Sequence, residues 1–140
     1  MSGVEITSSS DRELHELFAL AKATFGDLPR WSDSSVLEVL GDDVVFIARE
    51  QDEPVGYVAL RPSGDMTITI DQLFVAPGHE RRGIGRKLLA YAEGYAIARR
   101  APALRIVVEE QNSSARRFYR RVGFVPVEPE VLELILPRAE

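Results

Sequence analysis

Cysteine is absent from the 140 residues, which excludes disulfide frameworks, thiolate zinc sites and catalysis through a cysteine nucleophile. Histidine is scarce: His15 and His79 are the only two, and their separation is not a metal-ligand spacing, so no metal cofactor is expected. Long apolar runs are missing too, as is a basic-then-apolar N-terminus like that of a secretory signal, so the expectation is a cytoplasmic chain with no membrane partner. Basic residues are in the minority, 17 Lys and Arg against 22 Asp and Glu, for a formal net charge of −5. A general nucleic-acid binder gains its affinity by neutralising phosphates with many cations, and this balance argues against one. Any anion site must be local.

What is present is enough apolar material for an ordinary core, 45% of residues, without internal repeats, low-complexity segments or a linker. One domain over residues 1–140 is expected. After a short strand at Val4-Glu5-Ile6, Ser10-Asp11-Arg12-Glu13 fits a capping box ahead of Leu14, Leu17, Phe18, Ala21 and Phe25 at helical spacing. A second capping box, Ser35-Val36-Leu37-Glu38, opens a short helix that ends near Gly41. Val44 to Arg49 and Val55 to Leu60 read as a hairpin. The next strand, Thr67 to Val75, alternates, placing Ile68, Ile70 and Phe74 on one face and Thr67, Thr69, Asp71, Leu73 and Val75 on the other.

That strand runs into Ala76-Pro77-Gly78-His79-Glu80-Arg81-Arg82-Gly83-Ile84-Gly85-Arg86-Lys87, a glycine-bearing turn with four basic residues, and then into a helix with Ile84, Leu88, Ala92 and Tyr95 along one side. The first amides of a helix have no intrahelical partner, and its dipole adds partial positive charge there, so such a turn binds an anion through backbone. Glycine lets the anion approach closely. Leu104 to Val108 form a β-branched strand reached by a helical crossover, and so parallel to the strand before the turn. Asn112 then starts a helix with the stripe Ala115, Phe118, Tyr119 and Val122, stopped by Gly123. Phe124 to Val127 and Val131 to Leu136 close the chain as a strand pair.

The spacing of the glycine turn discriminates among phosphate sites. A Walker loop needs Gly-Lys followed by Ser or Thr, which is absent; a dinucleotide fingerprint needs a third small residue where Leu88 stands. Gly83 and Gly85 instead resemble the acetyl-CoA-binding motif of the GNAT superfamily of N-acetyltransferases, Arg/Gln-x-x-Gly-x-Gly/Ala. Its first position falls on Glu80, a departure, since a carboxylate beside a pyrophosphate is electrostatically unfavourable unless it points away. A second segment, Asn112-Ser113-Ser114-Ala115-Arg116-Arg117-Phe118-Tyr119-Arg120-Arg121-Val122-Gly123-Phe124, is similar to the family's Asn-x-x-Ala-x-x-Phe/Leu-Tyr-x-x-x-Gly-Phe stretch. Two motifs at the expected separation carry the resemblance across essentially the whole chain.

The resemblance implies a three-layer α/β fold: a twisted mixed sheet of about seven strands flanked by about four helices, with two parallel strands that splay apart to admit acetyl-CoA as cosubstrate. It implies that Leu73, Phe74 and Val75 hold the pantetheine arm by backbone, that Arg81, Arg82, Gly83, Ile84, Gly85, Arg86 and Lys87 cradle the pyrophosphate, and that Asn112 contacts the arm. Tyr119 would serve as general acid toward the departing thiolate. The acceptor would be a primary amine of a small molecule or a peptide, taken by a monomer or a homodimer. Because an alkyl amine near pKa ~10 is mostly protonated at neutral pH, a base is also needed. Asp71, or a water that it holds, is the candidate and Glu110 the rival, although Asp71 also reads as a strand residue satisfied by backbone or an arginine. Asp27, Pro29 and Trp31 fall where the family often builds an acceptor pocket. Of the arginines after Asn112, positions 116, 117, 120 and 121 read as a solvated helix face unless one reaches the CoA phosphates. Two other classes stay open: a CoA-sensing or partner-binding domain without turnover, and a nucleic-acid binder using this arginine-rich helix.

Overall fold

The computed structural model describes residues 4–8, 44–51, 53–80 and 83–137. Both expected N-terminal helices, His15, the Asp27, Pro29 and Trp31 segment, and Arg81 and Arg82 lie outside the described residues. Seven strands are seen: β1 (Val4–Ser8), β2 (Val44–Glu50), β3 (Glu53–Pro62), β4 (Ile68–Val75), β5 (Ala103–Val107), β6 (Val125–Glu128) and β7 (Val131–Ile135). Helix α1 (Ile84–Ala98) connects β4 to β5, and α2 (Ser113–Arg121) connects β5 to β6. The strands form one sheet in the order β1-β2-β3-β4-β5-β7-β6. Among the described strands only β4 and β5 pair in parallel, as expected for two strands joined by a helical crossover.

α1 places Ile84, Leu88, Leu89, Ala92 and Ala96 on its buried side at three- and four-residue spacing. They pack with Val58, Leu60, Ile68, Ile70, Leu104 and Ile106 in one core cluster, which Tyr119 and Phe124 also join. A fully buried leucine or isoleucine contributes about 1.5–3 kcal/mol relative to exposure, so this layer fixes where α1 begins. Tyr95, expected on the same stripe, is only partly buried and meets Phe46 edge-on at 6.1 Å between ring centroids.

Gly56 sits where β3 and β4 leave no room for a side chain. A Cβ there would lie 2.6 Å from the Phe74 carbonyl oxygen, so the backbones would have to separate. We expect Gly56→Ala to destabilise the fold by about 1–3 kcal/mol, the usual cost of overpacking, measured by chemical denaturation. An unchanged midpoint would contradict the close approach of these strands.

The alternation expected for Thr67 to Val75 is corrected at its centre. Ile70 pairs with Leu60 and Gln72 with Ala59, so Asp71 is an extra residue, a β-bulge. Passing the bulge reverses the side-chain parity. Leu73 and Val75 therefore join Ile68 and Ile70 on the α1 side. Phe74 moves to the other face, against Tyr57 at 5.8 Å between ring centroids, where the Tyr57 hydroxyl donates to the Gln72 side-chain carbonyl. A strict period of two cannot anticipate such a reversal, because a bulge inserts one residue without changing composition.

The bulge also marks where the two parallel strands part. β4 and β5 pair only over Ile68, Ile70 and the residue between them, opposite Leu104 to Ile106. From Asp71 to Val75, β4 continues without β5 beside it.

Candidate active site

The opening between the strands lies under the start of α1. Gly83 is the N-cap, at φ 81°, a left-handed conformation that costs a residue with a Cβ about 1–2 kcal/mol. The first intrahelical bond shown here runs from the Lys87 amide to the Gly83 carbonyl at 3.0 Å, leaving the amides of Ile84, Gly85 and Arg86 as the helix's open donors. Among the described residues no side chain caps them, and the first turn holds no acidic residue. α2 behaves differently: Asn112 Oδ1 accepts from the Ala115 amide at 3.2 Å, an ordinary N-cap. One helix start is closed by its own sequence and the other is open to an anion.

Gly85 has a separate reason to be glycine. Its added Cβ would meet the Phe118 ring at 3.6 Å and Val75 at 3.9 Å, ordinary van der Waals distances. The fold thus tolerates alanine there, and the missing methyl leaves backbone accessible from the cleft.

These residues line a cleft of about 1160 Å³ together with Leu73, Val75, Asn112, Phe118 and Tyr119. Tyr119 is 5% exposed and held edge-on between Phe118 and Phe124, at 5.2 and 5.3 Å between centroids. Burial pushes its hydroxyl well above the ordinary tyrosine range, because desolvation disfavours the phenolate. No partner for that hydroxyl is seen among the described residues. α2 is anchored by Arg116, whose Nη1 donates to the Pro129 carbonyl at 2.8 Å and the Val108 carbonyl at 3.4 Å.

Of the residues expected to form the site, Leu73, Val75, Gly83, Ile84, Gly85, Arg86, Asn112 and Tyr119 line this one cleft. Three described residues do not. Phe74 is turned away by the bulge, Lys87 lines a separate groove with Val4, Ile6 and Tyr91, and Asp71 is absent from the lining. Asp71 accepts from Arg61 Nε at 3.2 and 3.1 Å through its two carboxylate oxygens. Since Arg61 alternates with Ala59 and Tyr57, this pair sits on the face away from α1. Glu110, the rival base, is exposed, and its amide donates to the Glu130 carboxylate at 3.1 Å.

Glu80 does line the cleft, with its Oε2 accepting from the Gly78 amide at 3.3 Å. Its carboxylate is thus engaged by the turn that carries it. The lining also includes Arg117 and Arg121, half of the basic set expected to be solvated. The signal was available in the spacing, since 117 and 121 share a helix face with 114 and 118.

The family model for acetyltransferases of the GNAT family matches residues 12–124. Among curated proteins, the chain is 38% identical over 85 residues to a streptothricin acetyltransferase of Streptomyces lavendulae, covering 59% of this chain and 45% of that protein. It is 39% identical over 75 residues to the peptidyl-lysine N-acetyltransferase YjaB of Salmonella typhimurium, covering 54% and 45%. The chain thus spans about half the length of these relatives. Among solved structures, the PaiA N-acetyltransferase of Thermoplasma acidophilum, crystallised with coenzyme A, superposes with a TM-score of 0.77 at 20% identity, over 95% of this chain and 99% of that one. That likeness is one of fold.

Proposed function

The chain belongs to the acetyltransferase (GNAT) family, and on that premise we propose that it forms an enzyme domain transferring the acetyl group of acetyl-CoA to a primary amine. One observation carries the reading: a glycine-opened, uncapped helix start shares a cleft with Asn112 and a buried tyrosine hydroxyl. The open amides of Ile84 to Arg86 take the pyrophosphate, with Arg86 beside them and with Arg81 and Arg82, which precede Gly83 in the sequence, proposed to add positive charge. The β4 backbone from Leu73 to Val75, beyond its pairing with β5, takes the pantetheine arm and polarises the thioester carbonyl. Asn112 supports the arm with its amide nitrogen while its oxygen caps α2.

The chemistry needs no acyl-enzyme. The amine nitrogen attacks the thioester carbon, a strand N–H stabilises the developing oxyanion, and collapse breaks the carbon–sulfur bond. Tyr119 donates its proton to the leaving thiolate and is reprotonated from solvent. The ammonium proton is lost to Asp71 or a water it holds; because Asp71 is outside the cleft lining and paired with Arg61 on the face away from α1, it serves only an acceptor that approaches from that face. One curated relative is named for streptothricin and the other for peptidyl-lysine, which supports an amine acceptor without choosing between small molecule and peptide.

A thiol-release assay with acetyl-CoA across polyamines, aminoglycosides, amino-acid derivatives and peptides tests this, with no protein thiol to raise the background. Amine-dependent release is expected. Binding of CoA without release to any amine would instead favour a sensing domain, a reading to which Glu80 in the cleft lends weight. Glu80→Gln keeps an acceptor for the Gly78 amide and removes one negative charge. Exposed charge pairs are worth about 0.2–1 kcal/mol, so CoA should bind roughly 1.4- to fivefold more tightly to this variant in calorimetry. Weaker binding would mean that the carboxylate assists the cradle.

A further inference from the structure

The sheet face away from α1 carries side chains at the gap that the cleft does not use. β4 and β5 stop pairing after Ile70 and Ile106, so the first residues beyond the parting are Asp71 and Gln72 on one strand and Val107 on the other. The bulge puts Asp71 and Gln72 together on the far face, opposite Ala59. Val107 lies there too, because it alternates with Ile106, a member of the core cluster under the helix. It is 49% exposed, and Gln72 is half-buried.

Gln72 is held in one orientation. Tyr57 is fully buried, and burial keeps its hydroxyl protonated because desolvation disfavours the phenolate. That hydroxyl donates to Gln72 Oε1, and neither side chain has another hydrogen-bond partner among the described residues. With the amide reversed, the buried O–H proton would lose its acceptor, and a stranded buried donor is costly. Satisfying Tyr57 therefore explains the oxygen of Gln72 but not the nitrogen. Two N–H donors remain beside the gap with no protein partner among the described residues.

The geometry points to Gln72 as a specificity-determining residue, which donates from Nε2 to a carbonyl or hydroxyl oxygen that the acceptor carries near its reacting amine, with Tyr57 positioning it. This rests on acetyl transfer from CoA in the cleft: with CoA on the α1 side, the far face of the gap is the side left to the amine. Asp71 there suits the ammonium, Val107 the carbon stem and Gln72 the oxygen. Amino-acid amides and amino alcohols, including amino sugars, have this chemistry. An alkyl amine or polyamine has only donors in its cationic form and leaves Nε2 unmatched.

The test is kcat/KM for thiol release at saturating acetyl-CoA, with an amino-acid amide and an amino alcohol as two arms and an alkyl monoamine of the same length as the third. The wild type should prefer at least one oxygen-bearing acceptor, and the arm preferred tells carbonyl from hydroxyl. Two variants remove the donor in different ways. Gln72→Glu keeps an oxygen for the Tyr57 hydroxyl; Tyr57→Phe/Gln72→Met replaces both partners by apolar groups of similar shape, which is nearly neutral for stability. Each should reduce the preference roughly three- to tenfold, the worth of one hydrogen bond, mainly through the acceptor's KM. CoA affinity in calorimetry should be unchanged, since neither residue lines the cleft. No wild-type preference for either oxygen-bearing acceptor, or a preference that survives in a folded variant, overturns the role of Gln72 and leaves acetyl transfer standing. Thiol release with no amine at all overturns both.

Discussion

Tyr119→Phe is expected to lower kcat by about a hundredfold or more while CoA affinity stays within about twofold, the range for losing a positioned general acid. The basis is the environment of the hydroxyl. The ring is clamped by Phe118 and Phe124, so phenylalanine would occupy the same space and leave the core intact. Burial keeps the phenol protonated, so a proton is present for the leaving thiolate, while the same desolvation makes the hydroxyl a weaker acid than free tyrosine. With no competing partner among the described residues, the hydroxyl is available to a ligand atom. Steady-state rates and a separate CoA titration distinguish the cases. Unchanged kcat with intact CoA binding would remove Tyr119 from the mechanism, whereas a parallel loss of both would make it a packing residue.

Gly85→Ala should separate stability from binding. In the first turn of α1 an added methyl meets only ordinary contacts, and alanine in a helix is favoured over glycine by about 0.5–1 kcal/mol. The variant should therefore be as stable as the wild type or more so in chemical denaturation. Yet the methyl stands in the cleft where a phosphate must approach the amides, and a contact of that kind tolerates little displacement. The loss of even one charge-assisted hydrogen bond, about 1.5–3 kcal/mol, weakens CoA by roughly ten- to a hundredfold. If instead the variant lost stability and kept its CoA affinity, Gly85 would serve the fold and not the ligand. Gly83 offers no such separation, because its φ of 81° penalises any side chain.

Much of this arrangement was legible in the sequence because it depends on short-range patterns. The glycine turn and the Asn112 to Phe124 segment each fix a helix start by local chemistry, and the structure places them on one cleft. The parallel pairing of β4 with β5 follows from the crossover between them. What was not legible is what tertiary contacts decide. A single bulge at Asp71 sends Phe74 to the far face and brings Leu73 and Val75 to the α1 side, a reversal to which a two-residue period is blind. The side chain of Asp71 was equally open in the sequence, and it is the pairing with Arg61, ten residues earlier and across the hairpin, that engages its carboxylate. Lys87, one residue past Arg86, turns out of the cleft because helical rotation carries each successive residue by about 100°. For Arg117 and Arg121 the spacing shows which helix face they share but not where that face points, so the sequence leaves them solvated or at the CoA phosphates; the position of α2 is set by packing, including the Arg116 bonds to Val108 and Pro129.

The most direct test is a crystal structure of the chain with CoA bound. The pyrophosphate is expected within about 3 Å of the amides of Ile84 to Arg86, the ordinary length of such hydrogen bonds, with the arm along Leu73 to Val75 and the sulfur beside the Tyr119 hydroxyl. CoA found elsewhere, or in the cleft with its phosphates away from the start of α1, would contradict it.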